Sequence, residues 1–298
     1  MNIIGRRKLW FTISLIMIVP GMISLAIWGL KLGIDFRGGQ EMELRGGQDQ
    51  AKVRSIFVQA GAQDVTVTTT GSGGLLIRYR SDEKNAKKSD AQLKQGLVKA
   101  GYTQISFSSV GPSVSKDITR NALLSIFLAS LAILLYIAFA FRNAPPPVSP
   151  WSFGSSAIIA MLHDALLLIG LFSILGHFFG VQVDSLFVTA VLTVIGFSVH
   201  DTIVVFDRVR ENLRRYNKPF DEVVNLSVNE TLARSLNTSI TVLLTLTALL
   251  LFGGESIRLF VLALLVGIIS GTFSSIFNAS PMLVVWNNRK LKKNNRAK

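Results

Sequence analysis

The sequence predicts an α-helical polytopic membrane protein: six transmembrane helices, with a ferredoxin-like (βαββαβ) α+β extracytoplasmic domain between the first two. Three observations predict it. Apolar residues come in long blocks almost free of charge. Lys and Arg gather in some of the connections between those blocks and are missing from others. One polar segment, 31–118, switches between two-residue and helical periodicity. The composition agrees, with 49% hydrophobic and 16% charged residues, where soluble domains carry charge at about a quarter of positions. No cysteine is present, which removes disulfides, thiolate metal sites and cysteine nucleophiles.

The elements follow in order. About 20 apolar residues cross ~30 Å of hydrocarbon at 1.5 Å each. Residues 9–30 form the first such block. Arg6, Arg7 and Lys8 precede it, as in a signal peptide. Its apolar run is too long for a signal h-region, and no small-x-small site precedes the charged stretch that follows. It is expected to remain as the first span. The others are 119–141, 151–176, 185–206, 231–252 and 257–286. Basic residues mark the cytoplasmic side. They fall in the 1–8 arm, the Pro-rich turn at 142–150, the 207–230 connection and the 287–298 tail, whereas the 176–184 and 253–256 connections have none. Both termini and a 207–230 loop are therefore expected in the cytoplasm. That side holds fifteen basic and five acidic residues. The net charge of +13 thus reads as positive-inside topology with attraction to anionic membrane lipid, not as affinity for nucleic acid.

The 31–118 segment is expected outside the cytoplasm. Residues 41–45, 64–70, 75–80 and 103–110 alternate as strands, and a Gly/Ser turn at 70–74 joins the middle two. Val53, Ile56, Phe57 and Ala60 share one helical face ended by Gly61, and Leu93, Leu97 and Val98 share another ended by Gly101. The order β-α-β-β-α-β is the split-βαβ arrangement. Its 13 basic and 9 acidic residues are mixed and form no catalytic constellation, so contact with a partner or a substrate polypeptide is its expected role.

Ionisable residues at membrane depth cost about 2.5–3.5 kcal/mol unless paired or hydrated, and they are the candidates for function. His163 and Asp164 lie midway along the third span, His200 and Asp201 on the fourth, and Arg234 opens the fifth. Asp201 lies ~8 Å from the cytoplasmic end of its span, at a depth Arg234 can share. The two are therefore expected to pair. Arg234, Asn237, Thr238, Thr241 and Thr245 lie on one face of a helix, and Ser198, Asp201 and Thr202 make a shorter polar face. Such faces can line a hydrated proton path. Packing alternatives stay open: hydroxyls can bond back to their own helix, Arg234 can snorkel, and His163–Asp164 divides evenly between packing and function. Gly267, Gly271 and Ser275 form a small-xxx-small seam on the sixth span that Asn278 extends. Asp207, Arg208, Arg210 and Glu211 read as salt-bridged anchoring. Gly196–His200 resembles a nucleophile elbow but lacks its last glycine, and no H-E-x-x-H, P-loop or Rossmann pattern occurs. The chain is therefore expected to be no enzyme, with no metal and no cofactor.

Three stretches carry a family resemblance. Gly33-Ile34-Asp35-Phe36-Arg37-Gly38-Gly39 resembles the motif that opens the extracytoplasmic domain of SecF proteins. Gly196-Phe197-Ser198-Val199-His200-Asp201-Thr202, continuing to Asn212, is similar to the SecF fourth-span signature. Asn229-Glu230-Thr231 with Arg234-Ser235 and Thr238-Ser239 resembles the start of the family's fifth span, and His163-Asp164 fits as well. The resemblance covers essentially the whole chain. It implies a proton-motive-force-coupled accessory of the Sec translocase in the bacterial cytoplasmic membrane. It implies SecD, the SecYEG channel, YajC and the translocating polypeptide as partners. It also maps the family's transport acid and arginine onto Asp201 and Arg234. His200 stands where the family commonly has Asn and is a candidate relay or tuner. The residues alone also admit half of an RND-type exporter of lipid or small molecules, or a passive assembly scaffold.

Overall fold

A computed structural model describes residues 1–296 apart from 71–72 and 81–85, with the side chains of 86–91 and 290–296 also outside the description. Among the described residues, six helices are long and apolar enough to cross a membrane. They are α1 (Arg7–Trp28), α5 (Pro112–Ala140), α6 (Pro150–Phe179), α7 (Ser185–Arg215), α8 (Phe220–Phe252) and the α9–α10 pair (Glu255–Ser274 and Ser280–Arg296). A π turn over Ser275–Ala279 joins the last two.

Several helices overrun their expected bounds. Residues 207–230, expected as a loop, are helical except for 216–219, so α7 and α8 continue past the membrane as a hairpin. Arg208 holds that hairpin closed, reaching Glu211 at 2.7 Å and Glu230 at 2.6 Å. Arg210 pairs with Asp207 at 2.6 Å. The 1–8 arm is also structured. Ile3 and Ile4 are buried, and their amides donate to Asn225 Oδ1 on α8 at 2.8 and 3.2 Å. The tail is helical to Arg296, and residues 297–298 lie outside the described part.

The helices pack where small residues let them approach. Gly21 of α1 crosses Gly170 of α6 so closely that a Cβ at Gly21 would lie 2.8 Å from the other glycine's Cα. Ser24 and Ser173 hydrogen-bond across the same crossing at 2.8 Å. On α9, a Cβ at Gly267 would strike Val194 at 2.1 Å, and one at Gly271 would meet Ser198 at 3.0 Å. The small-residue seam thus presses the sixth span onto α7. The α6, α7 and α9 helices form the buried centre, while α1, α5 and α8 are mostly exposed. This suits outer helices that meet lipid.

The domain between α1 and α5 begins with the short α2 (Ile34–Arg37) and runs β1 (Gly39–Arg45), α3 (Gln50–Gln59), β2 (Gln63–Thr69), β3 (Leu75–Arg80), α4 (Ala86–Lys99) and β4 (Thr103–Val110). The sheet order is β2-β3-β1-β4, and every paired neighbour is antiparallel. That is the split-βαβ topology. Alternation puts Met42, Leu44, Leu75, Ile77 and Tyr79 on one sheet face, where they bury Val53, Phe57, Leu93 and Leu97 of the two helices. The expected turn at 70–74 falls partly outside the described residues.

Candidate functional site

The polar centre of the bundle is built around Asp164, which is fully buried on α6. Its Oδ2 accepts from Ser198 Oγ at 2.6 Å and Ser274 Oγ at 2.5 Å. Its Oδ1 accepts from Ser270 Oγ at 2.7 Å and lies 3.0 Å from His163 Nδ1. Three hydroxyls from two other helices thus converge on one carboxylate, as burial of a charge requires. The π turn starts at the next residue, Ser275. There Ser275 Oγ donates to the Ser198 carbonyl at 3.0 Å and lies 2.9 Å from Thr202 Oγ1. A π turn inserts one residue into the helical ladder and re-aims the side chains around it. Ser270 and Ser274, one turn apart at the end of α9, face Asp164, and Ser275 within the π turn faces α7.

Asp201 sits one turn below Ser198 on α7 and is only 3% exposed. Its surroundings are poorer. The Ser235 hydroxyl of α8 and the neighbouring His200 are the polar groups that bear on it, and Asp201 Oδ2 and Ser235 Oγ are both buried without a hydrogen bond. Toward the α7–α8 hairpin, the rings of Phe141, Phe153 and Phe206 cluster at 4.7–6.1 Å, one pair stacked and two edge-on, with Phe153 and Phe206 fully buried. This apolar layer separates Asp201 from the charged hairpin.

The expected Asp201–Arg234 pair is not formed. Arg234 is exposed and forms none of the ion pairs among the described residues. The reason lies in the rotation of α8. That helix has two hydroxyl-bearing stripes, and it turns Thr231, Ser235 and Ser239 inward, with Ser239 Oγ 2.6 Å from Thr272 Oγ1 on α9. Arg234, Asn237, Thr238, Thr241 and Thr245 therefore face away from the bundle. Thr238, Thr241 and Thr245 donate to carbonyls of their own helix. On α7, Thr189, Thr193, Gly196 and His200 form a matching outward stripe. Of the expected site residues, Asp164, His163, Ser198 and Thr202 come together, Asp201 sits beside them, and His200, Arg234, Asn237, Thr238 and Thr241 point outward. Ser235, Ser270 and Ser274 are additional members.

The Gly33–Gly39 motif lies where the outer domain meets the membrane. Gly38 and Gly39 have φ of 72° and 129°, values that favour glycine, and a Cβ at Gly39 would lie 3.1 Å from the Tyr79 carbonyl. Phe36 packs against the helical core. Asp35 Oδ2 accepts from the Ser185 amide at 2.8 Å, at the first residue of α7.

The class defined by these features is a multi-pass membrane protein with an acid-bearing helical centre and one ferredoxin-like outer domain. Comparison narrows it. The family described as protein export membrane protein SecD/SecF, C-terminal, matches residues 91–289, and the SecD/SecF GG motif matches residues 23–50. The protein translocase subunit SecF of Thermobaculum terrenum is 49% identical over 97% of this chain and 94% of its own length. That of Anaerolinea thermophila is 44% identical over 96% and 94%. The crystal structure of SecDF from Thermus thermophilus, a translocon-associated membrane protein, superposes with a TM-score of 0.83 at 30% identity, covering 97% of this chain and 39% of that one. SecDF in its super-membrane-facing form gives 0.69 at 29% identity, covering 100% and 40%. The chain therefore belongs to the SecD/SecF family of protein export membrane proteins.

Proposed function

We propose that the chain is the SecF half of a SecDF-type complex that uses the proton-motive force to promote polypeptide export through the SecYEG channel. It performs no bond chemistry of its own. It spans the bacterial cytoplasmic membrane with both termini inside, and SecD covers the face formed by α7 and α8, with YajC as a further component. The observation that carries this reading is the pair of outward polar stripes. Arg234 alone could snorkel to the interface near Glu230, one turn away. Thr238, Thr241 and Thr245 are satisfied within their own helix, but Asn237 is exposed one turn deeper with no hydrogen bond among the described residues, and an unpaired amide facing hydrocarbon is costly. A second subunit that brings its own polar groups removes that cost and leaves a hydrated seam beside Asp201.

Proton transfer is assigned to Asp201. One of its oxygens has no hydrogen bond to lose, and it lies beside the Ser235 contact that joins α7 to α8. Arg234 and His200 stand one residue away from that contact on either helix, facing the seam. Uptake from outside removes the carboxylate's charge, release to the cytoplasm restores it, and the α7–α8 contact follows that change. Each proton crossing 100 mV supplies about 2.3 kcal/mol.

The exporter reading finds less support. A cleft of about 940 Å³ on the outer domain is open and lined by Arg37, Arg54, Arg78 and Arg80, which does not suit an apolar cargo.

The test is Asp201→Asn in vesicles containing the chain, SecD and the channel. Loss of gradient-driven export stimulation and of proton flux, with the complex still assembled, is expected. Full stimulation by the variant would overturn the proposal.

A further inference from the structure

The outer domain is joined to the membrane helices covalently at α1 and α5. A third attachment is not covalent, and it reaches the span that carries Asp201. Leaving α1, the chain runs beside the α6–α7 connection as a parallel bridge between Leu32 and Val183. Val183 N donates to the Lys31 carbonyl and Gly33 N to the Val183 carbonyl, both at 2.8 Å. A Cβ at Gly33 would lie 3.1 Å from that carbonyl oxygen, so the strands lie in tight contact. Next, α2 aims Asp35 at the start of α7, where its Oδ2 accepts from Ser185 N at 2.8 Å across 150 residues of sequence. Asp184 Oδ1 accepts from Phe187 N at 2.9 Å. Two carboxylates thus occupy the first amides of α7, one from its own cap and one from the outer domain.

On the other side, Asp35 lies a few residues before β1, an inner strand of the sheet paired on both edges. The route from sheet to α7 therefore crosses Gly38 and Asp35 to one charge-assisted hydrogen bond on the helix itself, which the dipole of α7 favours, beside the two backbone hydrogen bonds to Val183. Asp201 is 16 residues further along the same helix, about 24 Å away. The outer domain's covalent anchor at α1, by contrast, carries no ionisable group within the membrane.

We infer that Asp35 is a positioning residue that couples movement of α7 to the outer domain. The inference rests on the proton-driven reading above and adds the transmission element to it. Asp35 takes no part in proton transfer. It holds the outer domain to the helix whose carboxylate is charged and discharged, so that a shift or rotation of α7 is delivered to β1.

The experiment uses the chain assembled with SecD and the channel in vesicles, reading gradient-driven export stimulation and Asp201-dependent proton flux separately. Asp35→Ala should lower stimulation by roughly tenfold or more, as loss of a hydrogen bond to a charged group does, while proton flux persists. Asp35→Glu should restore part of the stimulation. Because the chain has no cysteine, a Leu32→Cys, Val183→Cys pair placed in the Asp35→Ala background gives a covalent substitute for the lost link. Stimulation should return when the pair is oxidised and vanish again on reduction. Asp35→Ala with normal stimulation, or with flux and stimulation lost together, would overturn the inference, as would failure of the oxidised pair to rescue. Asp201→Asn run in parallel keeps the two readings apart. If Asp201→Asn is inactive and Asp35→Ala is normal, only the coupling role fails. If Asp201→Asn itself retains flux and stimulation, the proton-driven reading fails first.

Discussion

Two buried aspartates lie close together in the bundle centre and have opposite surroundings. Asp164 is saturated: Ser198, Ser270 and Ser274 donate to it from two neighbouring helices, and His163 stands against one oxygen. Asp201, similarly buried, keeps one oxygen without any donor. A proton can be added to it without breaking a hydrogen bond. Burial and residue type do not separate these two acids; the number of donors already committed to each does.

The widest difference should come from truncation. Asp164→Ala leaves the Ser198 and Ser270 hydroxyls buried without their acceptor and Ser274 with only the Gly271 carbonyl at 3.2 Å, at a cost of about 3 kcal/mol or more. The thermal midpoint of the detergent-purified complex should fall sharply, and expression with it. Asp164→Asn keeps the shape and part of the acceptor capacity, so its loss should be smaller, about 1–2 kcal/mol. An unchanged midpoint for Asp164→Ala would break the contrast between the two acids. For Asp201→Asn the opposite pattern is expected, with stability within about 1 kcal/mol of the parent because Oδ2 has no hydrogen bond to lose, and gradient-driven stimulation abolished.

A middle-sized effect should follow from Gly271→Ala. The new Cβ would sit 3.0 Å from Ser198 Cβ and 3.3 Å from its Cα, so α7 and α9 must part and draw Ser198 away from Asp164. Overpacking of this kind costs about 1–3 kcal/mol. Because the strain falls on the Asp164 side, stimulation per folded complex should survive while the thermal midpoint drops. Loss of stimulation at full stability would assign the seam to the proton path instead.

What could be read from the sequence follows from which interactions are local. The six spans and the outer domain were legible because burial of Val53, Phe57, Ile77 or Leu97 repeats at the period of its own element. The identity of Asp201 as a membrane-depth acid was equally legible. The Asp164 cage was not, because its donors lie 34, 106 and 110 residues away and meet only through the packing of α6, α7 and α9. The pairing of Asp201 with Arg234 failed for a different reason. Helix α8 carries hydroxyls on two faces, and the longer polar stripe, the one with the charge, turns away from the chain's own core. Periodicity shows that two faces exist, but only packing against α9 through Ser239 and Thr272 selects which one is inside. The α7–α8 hairpin is not legible as helix from its apolar blocks, which end at Phe206 and resume at Thr231; ion pairs within α7 and the Arg208–Glu230 pair between the helices accompany its continuation.

The smallest effect concerns the junction between the ferredoxin-like domain and α7. Asp184 caps α7, and its carboxyl is held above its ordinary value of 3.8, chiefly by burial and further by the charges of Asp35 and Glu41, while the hydrogen bond from Phe187 N opposes the rise. A group whose folded value is raised binds its proton more tightly in the folded state. The junction is thus most stable when Asp184 is protonated, and stability falls as pH rises from about 3.8 through the raised value, where the charge beside Asp35 appears. Asp184→Asn retains a capping acceptor for the Phe187 amide and removes that charge. The variant should gain slightly in stability near neutral pH and lose the decline that sets in above about pH 3.8, as read by thermal melts at several pH values. Since the outer side is the more acidic face of an energised membrane, protonation there would tighten the same attachment that carries Asp35, and an unchanged slope in Asp184→Asn would place that sensitivity elsewhere.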